Sequence, residues 1–313
     1  MIEFLKILCK LFIFPGFLFL SVYSFLLDFL DRKLYARMQN RVGPPWYQPL
    51  ADFLKLIGKK TIIPADANAV IFSVMPLVSL AAVTVGFIYL PVLGKEAIFS
   101  FSGDFVIVLY LLAIPPLAAF LAGWYSRAVY STIGATRILT QMFAYEVPLF
   151  ISVLAPTLIA GTWSITELTG FYAAHPLYIF INLPVAITAL ISFQCKLERA
   201  PFDSPEAETE IVSGALVEYS GRLLAFFKLA HNCELLFVIS LFSAIYLPFM
   251  TGIIWVDFIL YIVKTLFILL LLILMRVTMA RIEINNTLNF CWKYLAPVTL
   301  GQVILNLLLR GVL

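Results

Sequence analysis

Six carboxylates fall within the 24 residues Glu198–Gly221, which read ERAPFDSPEAETEIVSGALVEYSG: Glu198, Asp203, Glu206, Glu208, Glu210 and Glu218. They stand between two apolar runs in a chain of which only 12% is charged. A carboxylate taken out of water must be paired, protonated or wetted. A cluster at a membrane boundary therefore points to the handling of protons or cations. Pro201 enforces an extended entry, and Ser204-Pro205 has the form of an N-cap and first helical position, with Glu206 in the first turn. Glu206 and Glu210 are spaced i, i+4, so a helix would set them on one face, where repulsion raises both pKa values. An ordinary solvated acidic face is the alternative. Downstream, the helical pattern runs from Ile211 to Phe249. That exceeds a hydrocarbon core of ~30 Å, so the helix must be tilted, broken or partly outside. Along it Glu218 and Arg222 can pair at i, i+4, and Lys228, His231 and Glu234 step along one side at threes. Such a ladder suggests an aqueous or proton-conducting axis.

Two further ionisable groups stand inside apolar runs. Glu146 follows Tyr145 and precedes Pro148, whose ring frees the carbonyl of Ala144 and can make a polar pocket there. Ionisable residues within spans are usually functional, although a neighbouring cation or a shallow, wetted position would satisfy this one. Lys264 is a lysine whose pKa shifts readily on burial, which suits a switchable charge.

The elements that must hold these groups are legible from composition. Of the 313 residues 62% are hydrophobic, against roughly 45–50% in soluble proteins, and the mean hydropathy is +1.00. This defines an all-α integral membrane protein with one membrane domain, 1–313. Eight spans are predicted, Phe4–Leu30 with a kink at Pro15-Gly16, then 69–91, 104–123, 140–160, 177–195, 213–247, 254–275 and 292–311. Lys and Arg set the orientation. The odd-numbered connections carry Arg32, Lys33, Arg37, Arg41, Lys55, Lys59, Lys60, Arg127, Arg137, Lys196, Arg199, Arg276 and Arg281, while the even-numbered ones carry only Lys95. The odd loops, 31–68 and 196–212 among them, are thus expected on the cytoplasmic side of the cell membrane, with both termini outside. A net charge of +3 is too small to suggest nucleic acid.

Cys9, Cys195, Cys233 and Cys291 are scattered and lack the grouping an iron–sulfur cluster requires. His175 precedes Pro176 in a loop, which leaves no facing helical histidines for a haem. No Walker loop, Rossmann glycine pattern or nucleophile elbow occurs. No cofactor is expected in this chain.

Leu50, Phe53, Leu54 and Ile57 follow i, i+3, i+4, i+7 spacing, with Asp52, Lys55 and Lys59 opposite, which predicts an amphipathic cytoplasmic helix. It suits either the headgroup interface or a peripheral partner. Around it, DRKLYARMQNRVGP from Asp31 and QPLADFLKL from Gln48 resemble the first cytoplasmic loop of the complex I subunit-1 (NuoH) family. The stretch GWYSRAVYSTIGATRILTQMFAYEVPL from Gly123 resembles that family's GxxSxxxYxxxGxxRxxxQxxxYE element. Residues 198–221 closely resemble its loop between the fifth and sixth helices. Trp292, Lys293 and Pro297 match its closing element, where Glu283 and Asn285-Asn286 replace the usual arginine and aspartate-glutamine. The short GPPWYQP join looks like the membrane-bound hydrogenase branch, since complex I members carry several more residues there.

The resemblance implies the proximal membrane subunit of a redox-driven, proton- or sodium-translocating complex, of membrane-bound hydrogenase or sulfane-sulfur-reductase type. Iron–sulfur clusters would lie in peripheral hydrophilic subunits docked through Arg32, Arg37, Arg41, Asp52, Lys55, Glu198 and Arg199. Ion coupling to antiporter-like and small membrane subunits would run through Glu146, Asp203, Glu206, Glu208, Glu210, Glu218, Arg222, Lys228, His231, Glu234 and Lys264. Such a chain is a non-catalytic subunit. A quinone-binding subunit of NADH:quinone oxidoreductase, a stand-alone secondary transporter and a passive anchor are the other readings.

Overall fold

The computed structural model describes residues 10–92 and 97–310, with Glu208 and Thr209 by backbone only. Cys9, Lys95, Leu313 and the first part of the predicted Phe4–Leu30 span lie outside the described residues. The described chain is helical, without a strand. Its elements are α1 (Phe17–Met38), α2 (Gln48–Gly58), α3 (Ala69–Ile88), α4 (Asp104–Tyr125), α5 (Val129–Ala160), α6 (Ile165–Ala174), α7 (Leu183–Lys196), α8 (Gly221–Tyr246), α9 (Ile254–Thr278) and α10 (Ile284–Arg310). Seven are long and apolar enough to cross a membrane: the segment Lys10–Met38 that contains α1, then α3, α4, α5, α8, α9 and α10. Around Pro15-Gly16, where a kink is predicted, the helix is interrupted over residues 13–16.

Four predicted helices differ in their bounds: α5 begins at Val129 instead of 140 and α10 at Ile284 instead of 292, and the other two change shape. The run 177–195 is not one helix: Leu177–Ile181 ends at Asn182, and α7 starts beyond it with Pro184 in its first turn. At 1.5 Å per residue, α7 spans about 21 Å. The break is held by tertiary polar contacts. Asn182 Nδ2 donates to the Tyr172 hydroxyl and the Tyr178 carbonyl, while Asn306 Nδ2 donates to Asn182 Oδ1. The second difference is larger. Helix α8 begins at Gly221, not near Ile211, and short helical turns at Ser204–Glu206, Glu208–Ile211 and Gly214–Leu216 precede it. Val212, Gly214 and Gly221 all adopt positive φ (63°, 55° and 60°), which breaks the helical path. Gly221 lies against the carbonyls of Lys59 and Lys60, where a side chain has no room.

Two prolines inside the spans are matched by tyrosines from other elements. Pro76 in α3 frees the carbonyl of Phe72, which accepts from the Tyr219 hydroxyl at 3.0 Å. Pro156 in α5 frees the carbonyl of Ser152, which accepts from Tyr246 at 2.7 Å. One apolar cluster runs through the spans from Leu20 to Leu295, and α8 contributes an almost unbroken buried run from Cys233 to Tyr246. The connections 39–68, 197–220 and 279–283 meet at one end of the bundle. There Ile62 N donates to Ser220 Oγ, and Ser204 Oγ donates to the Ile282 carbonyl. Ser204 therefore ties two loops together and does not cap a helix.

Candidate functional site

At that end, α1, α4, α7, α8, α9 and the 197–220 connection enclose a polar cavity of about 840 Å³. Its acids are Asp28, Asp31, Glu198, Asp203, Glu206 and Glu234. Its bases are Arg32, Lys196, Arg199, Lys228, Arg276 and Arg281, and His231 and Asn232 join them. Exposed Glu206, Ser213 and Lys228 place its mouth beside the loops. The helical spacing of Lys228, His231 and Glu234 does set all three on one wall.

The inner wall is an ion pair. Lys196, at the last position of α7, meets Glu234 of α8 at 2.6 Å, and their side chains are 1% and 7% exposed. Such a pair persists because each partner offsets the other's desolvation. Nearer the loops Asp31 holds two arginines, Arg199 at 3.0 Å and Arg276 at 3.1 Å. Arg276 also lies 4.2 Å from the centre of the Tyr35 ring, a cation–π contact. Asp28 pairs with Arg32 at 2.8 Å and accepts from Asn232 Nδ2.

Glu198 stands two residues after the end of α7, with φ of 51°. Burial pushes its carboxyl well above the usual carboxylate range, and Glu206 and Glu234 add to this while Lys196 opposes it. The folded protein then holds a proton that the unfolded chain releases near its pKa of about 4.3. Stability falls as pH rises from there, and levels off above the raised folded value. Glu198→Gln abolishes this slope. Thermal melts of wild type and variant are expected to coincide near pH 4 and to diverge in the variant's favour towards pH 8.

Several expected site residues lie elsewhere. Glu210 does not share a helix face with Glu206. It points outward to Arg137 at 2.6 Å and Arg281 at 3.7 Å. The Arg137 contact holds its carboxyl below the usual range, opposite to the expected rise. Arg281 also binds Asp203 at 2.9 Å. Glu218 precedes α8 and, like the exposed Arg222, does not line the cavity, so the i, i+4 pairing does not form. Lys264 is remote, its ammonium donating to the carbonyls of Leu247 and Phe249 beyond the far end of α8. Glu146 is half-buried outside the cavity lining, with Lys196 as its nearby cation. The side chain of Glu208 lies outside the described residues.

Of the residues expected at a docking surface, Arg37, Arg41 and Lys55 are exposed. Arg32 and Asp52 instead pair with each other at 3.0 Å and clamp α2 to α1. Glu198 and Arg199 face the cavity. Helix α2 rests on α1 through Phe53 against Phe25 and leaves Leu50, Leu54 and Ile57 exposed. Asp28, Asp31 and Lys196 were not expected in the site. The signal for the first two was two acids and an arginine at i, i+3 and i+4 closing an otherwise apolar run.

Fold and site together define a multi-span helical membrane protein with an ionisable cavity at its loop end. The sequence matches the family described as NADH dehydrogenase over residues 10–307. The chain belongs to that family, the NuoH family. It is 30% identical to the NuoH-type subunit of NADH-quinone oxidoreductase from Dehalococcoides mccartyi, covering 93% of this chain and 83% of the relative. It is 34% identical to the same subunit of Bacillus cytotoxicus, covering 90% and 87%. Among solved structures it is similar to a chain of the membrane-bound sulfane sulfur reductase, an archaeal respiratory membrane complex. That match has a TM-score of 0.86 at 26% identity, over 98% of this chain and 100% of the other.

Proposed function

We propose that this chain is the proximal membrane subunit of a complex I-related complex of the sulfane-sulfur-reductase or hydrogenase type, coupling a redox reaction to ion translocation. The observation that carries the reading is the cavity: a set of opposed charges enters from the loop end and closes on the buried Lys196–Glu234 pair. Redox change in a peripheral arm, whose subunits hold the iron–sulfur clusters, alters the field at the cavity mouth. The 31–68 and 198–215 loops, on the cytoplasmic side of the cell membrane, seat that arm, with Arg37, Arg41, Lys55 and the exposed side of α2 as its contacts. The charges of α8 pass the change to antiporter-like membrane neighbours. Each charge moved across costs ~2.3 kcal/mol per 100 mV, which the redox step supplies. Leu177–Ile181 and α7 together form an eighth span, bent at Asn182.

The short GPPWYQP join and the match to the sulfane sulfur reductase support this type. The curated relatives favour a second reading, a quinone-reducing complex with the same coupling role. Tag-purified complex reconstituted in vesicles decides between them. Polysulfide- or proton-reducing activity is expected, with ion uptake that Glu234→Gln abolishes. Quinone reduction alone favours the second reading, and unchanged uptake in Glu234→Gln overturns the coupling role.

A further inference from the structure

Gln141 on α5 and Gln194 on α7 are 1% and 0% exposed. A glutamine so deeply buried must spend its amide on a partner. Gln141 Nε2 donates to the carbonyls of Cys195 and Phe202, both at 2.8 Å, and Gln194 Nε2 donates to the carbonyl of Ala200 at 2.7 Å. Only the NH2 end of an amide can bond a carbonyl oxygen, so chemistry fixes the orientation of both side chains. Each Oε1 is without a protein partner among the described residues. Both amides are thus dedicated to one object, the turn 195–202.

That turn needs them. Cys195, Leu197 and Phe202 are buried, and a buried turn must find partners for its carbonyls inside the protein. Within it Glu198 N bonds the Cys195 carbonyl at 3.2 Å and Phe202 N bonds the Arg199 carbonyl at 2.8 Å. From the next connection Ile282 N takes the Pro201 carbonyl at 2.9 Å. The carbonyls of Ala200 and Phe202 take their donors from the glutamines. Glu198 stands there at positive φ, which a non-glycine residue holds only where its surroundings impose it.

The same turn carries Lys196, Glu198 and Arg199, and it delivers charge to two different helices. Lys196 meets Glu234 of α8 at 2.6 Å, Arg199 meets Asp31 of α1 at 3.0 Å, and Glu198 lines the cavity with them. Moving the turn by about 1 Å would carry the first contact out of hydrogen-bond range. Neither glutamine lines the cavity. They touch the turn from behind.

We propose that Gln141 and Gln194 are positioning residues for the cavity: their amides hold the turn 195–202 so that Lys196 and Arg199 reach Glu234 and Asp31. Gln141 has the larger share, because its one amide bridges both ends of the turn and ties them to α5. The uptake measurement below rests on the ion-coupling reading above, and the thermal measurement does not.

The test is Gln141→Met in the assembled complex, which keeps the side chain's length and removes its donors. It is combined with Lys196→Met in a double-mutant cycle read by melting temperature. If Gln141 seats Lys196, the pair with Glu234 is already parted in Gln141→Met, and Lys196→Met is expected to lower the melting temperature far less there than in wild type. Tyr246→Phe, which loses a bond to the Ser152 carbonyl at the other end of the bundle, is the control and is expected to add fully. Additive losses from Gln141→Met and Lys196→Met overturn the positioning role, and so does an equal shortfall with Tyr246→Phe. Where Gln141→Met does not assemble, Gln194→Met, which removes a single bond to the turn, enters the same cycle under the same criteria. In vesicles, ion uptake per electron is expected to fall roughly a hundredfold in Gln141→Met, the scale set by misplacing a reacting group, with electron transfer in detergent unchanged. Full uptake in Gln141→Met beside its loss in Glu234→Gln overturns the positioning role alone. Full uptake in Glu234→Gln overturns the coupling reading and leaves the thermal cycle to decide the positioning.

Discussion

Lys196→Met is expected to lower the stability of the assembled subunit by about 3–5 kcal/mol, the cost of stranding one member of a buried ion pair. Glu234 would be left at 7% exposure with its nearest cation removed. It must then take up a proton or pull water into the core. The double variant Lys196→Met/Glu234→Met separates packing from charge. Buried pairs replaced by apolar side chains of similar volume are often neutral or stabilising, so the double variant is expected to melt near the wild-type temperature. Its vesicles are expected to show no redox-driven ion uptake. Thermal melts in detergent and uptake by the same preparations read the two effects independently. A double variant that pumps normally would sink the role assigned to this pair.

Asp31→Asn is expected to be the next most damaging change, at about 2–3 kcal/mol once the partial exposure of Arg276 is allowed for. One carboxylate joins three segments distant in sequence: α1 through itself, the 197–220 connection through Arg199 and the end of α9 through Arg276. The amide keeps the shape and loses the charge, leaving two cations facing each other across the cavity. Arg276 retains its contact with Tyr35, so the looser partner is Arg199. Protease nicking within residues 197–220 of the detergent-solubilised complex is expected to accelerate, and salt is expected to slow it in the variant by screening the repulsion. An unchanged cleavage rate would mean that the clamp does not hold this connection.

Much of the architecture was legible because it rests on local rules. Apolar runs of spanning length identify helices, and α2 was visible in the spacing of Leu50, Phe53, Leu54 and Ile57. The wall formed by Lys228, His231 and Glu234 was visible for the same reason, since residues three apart share a helix face. The misreadings occurred where a local rule was overridden from a distance. Helical propensity ran unbroken through 211–221, yet Val212, Gly214 and Gly221 turn the chain there. Ser131 Oγ donates to the Ala215 carbonyl at 2.6 Å, and backbone approaches at Gly134 and at Lys59–Lys60 leave no space for a continuous helix. The expected repulsion between Glu206 and Glu210 failed because Arg137, more than sixty positions earlier, takes Glu210 away.

By itself the sequence determined a polytopic helical membrane chain, the loops rich in cations and the acidic stretch 198–221 as a place of interest. Those properties follow from composition, hydropathy and helical period, which need no partner. Only the tertiary structure decided which charges work together. Of the six carboxylates in that stretch, Glu198, Asp203 and Glu206 line the cavity, while Glu210 and Glu218 do not. Their associates Asp28 and Asp31 come from a helix far away in sequence, and Lys196, just before the stretch, points instead to Glu234 on α8. The physical reason is that a charge in a low-dielectric interior is tolerated only beside its counter-charge. Packing chooses that partner, and sequence spacing records it only when both lie on one helix.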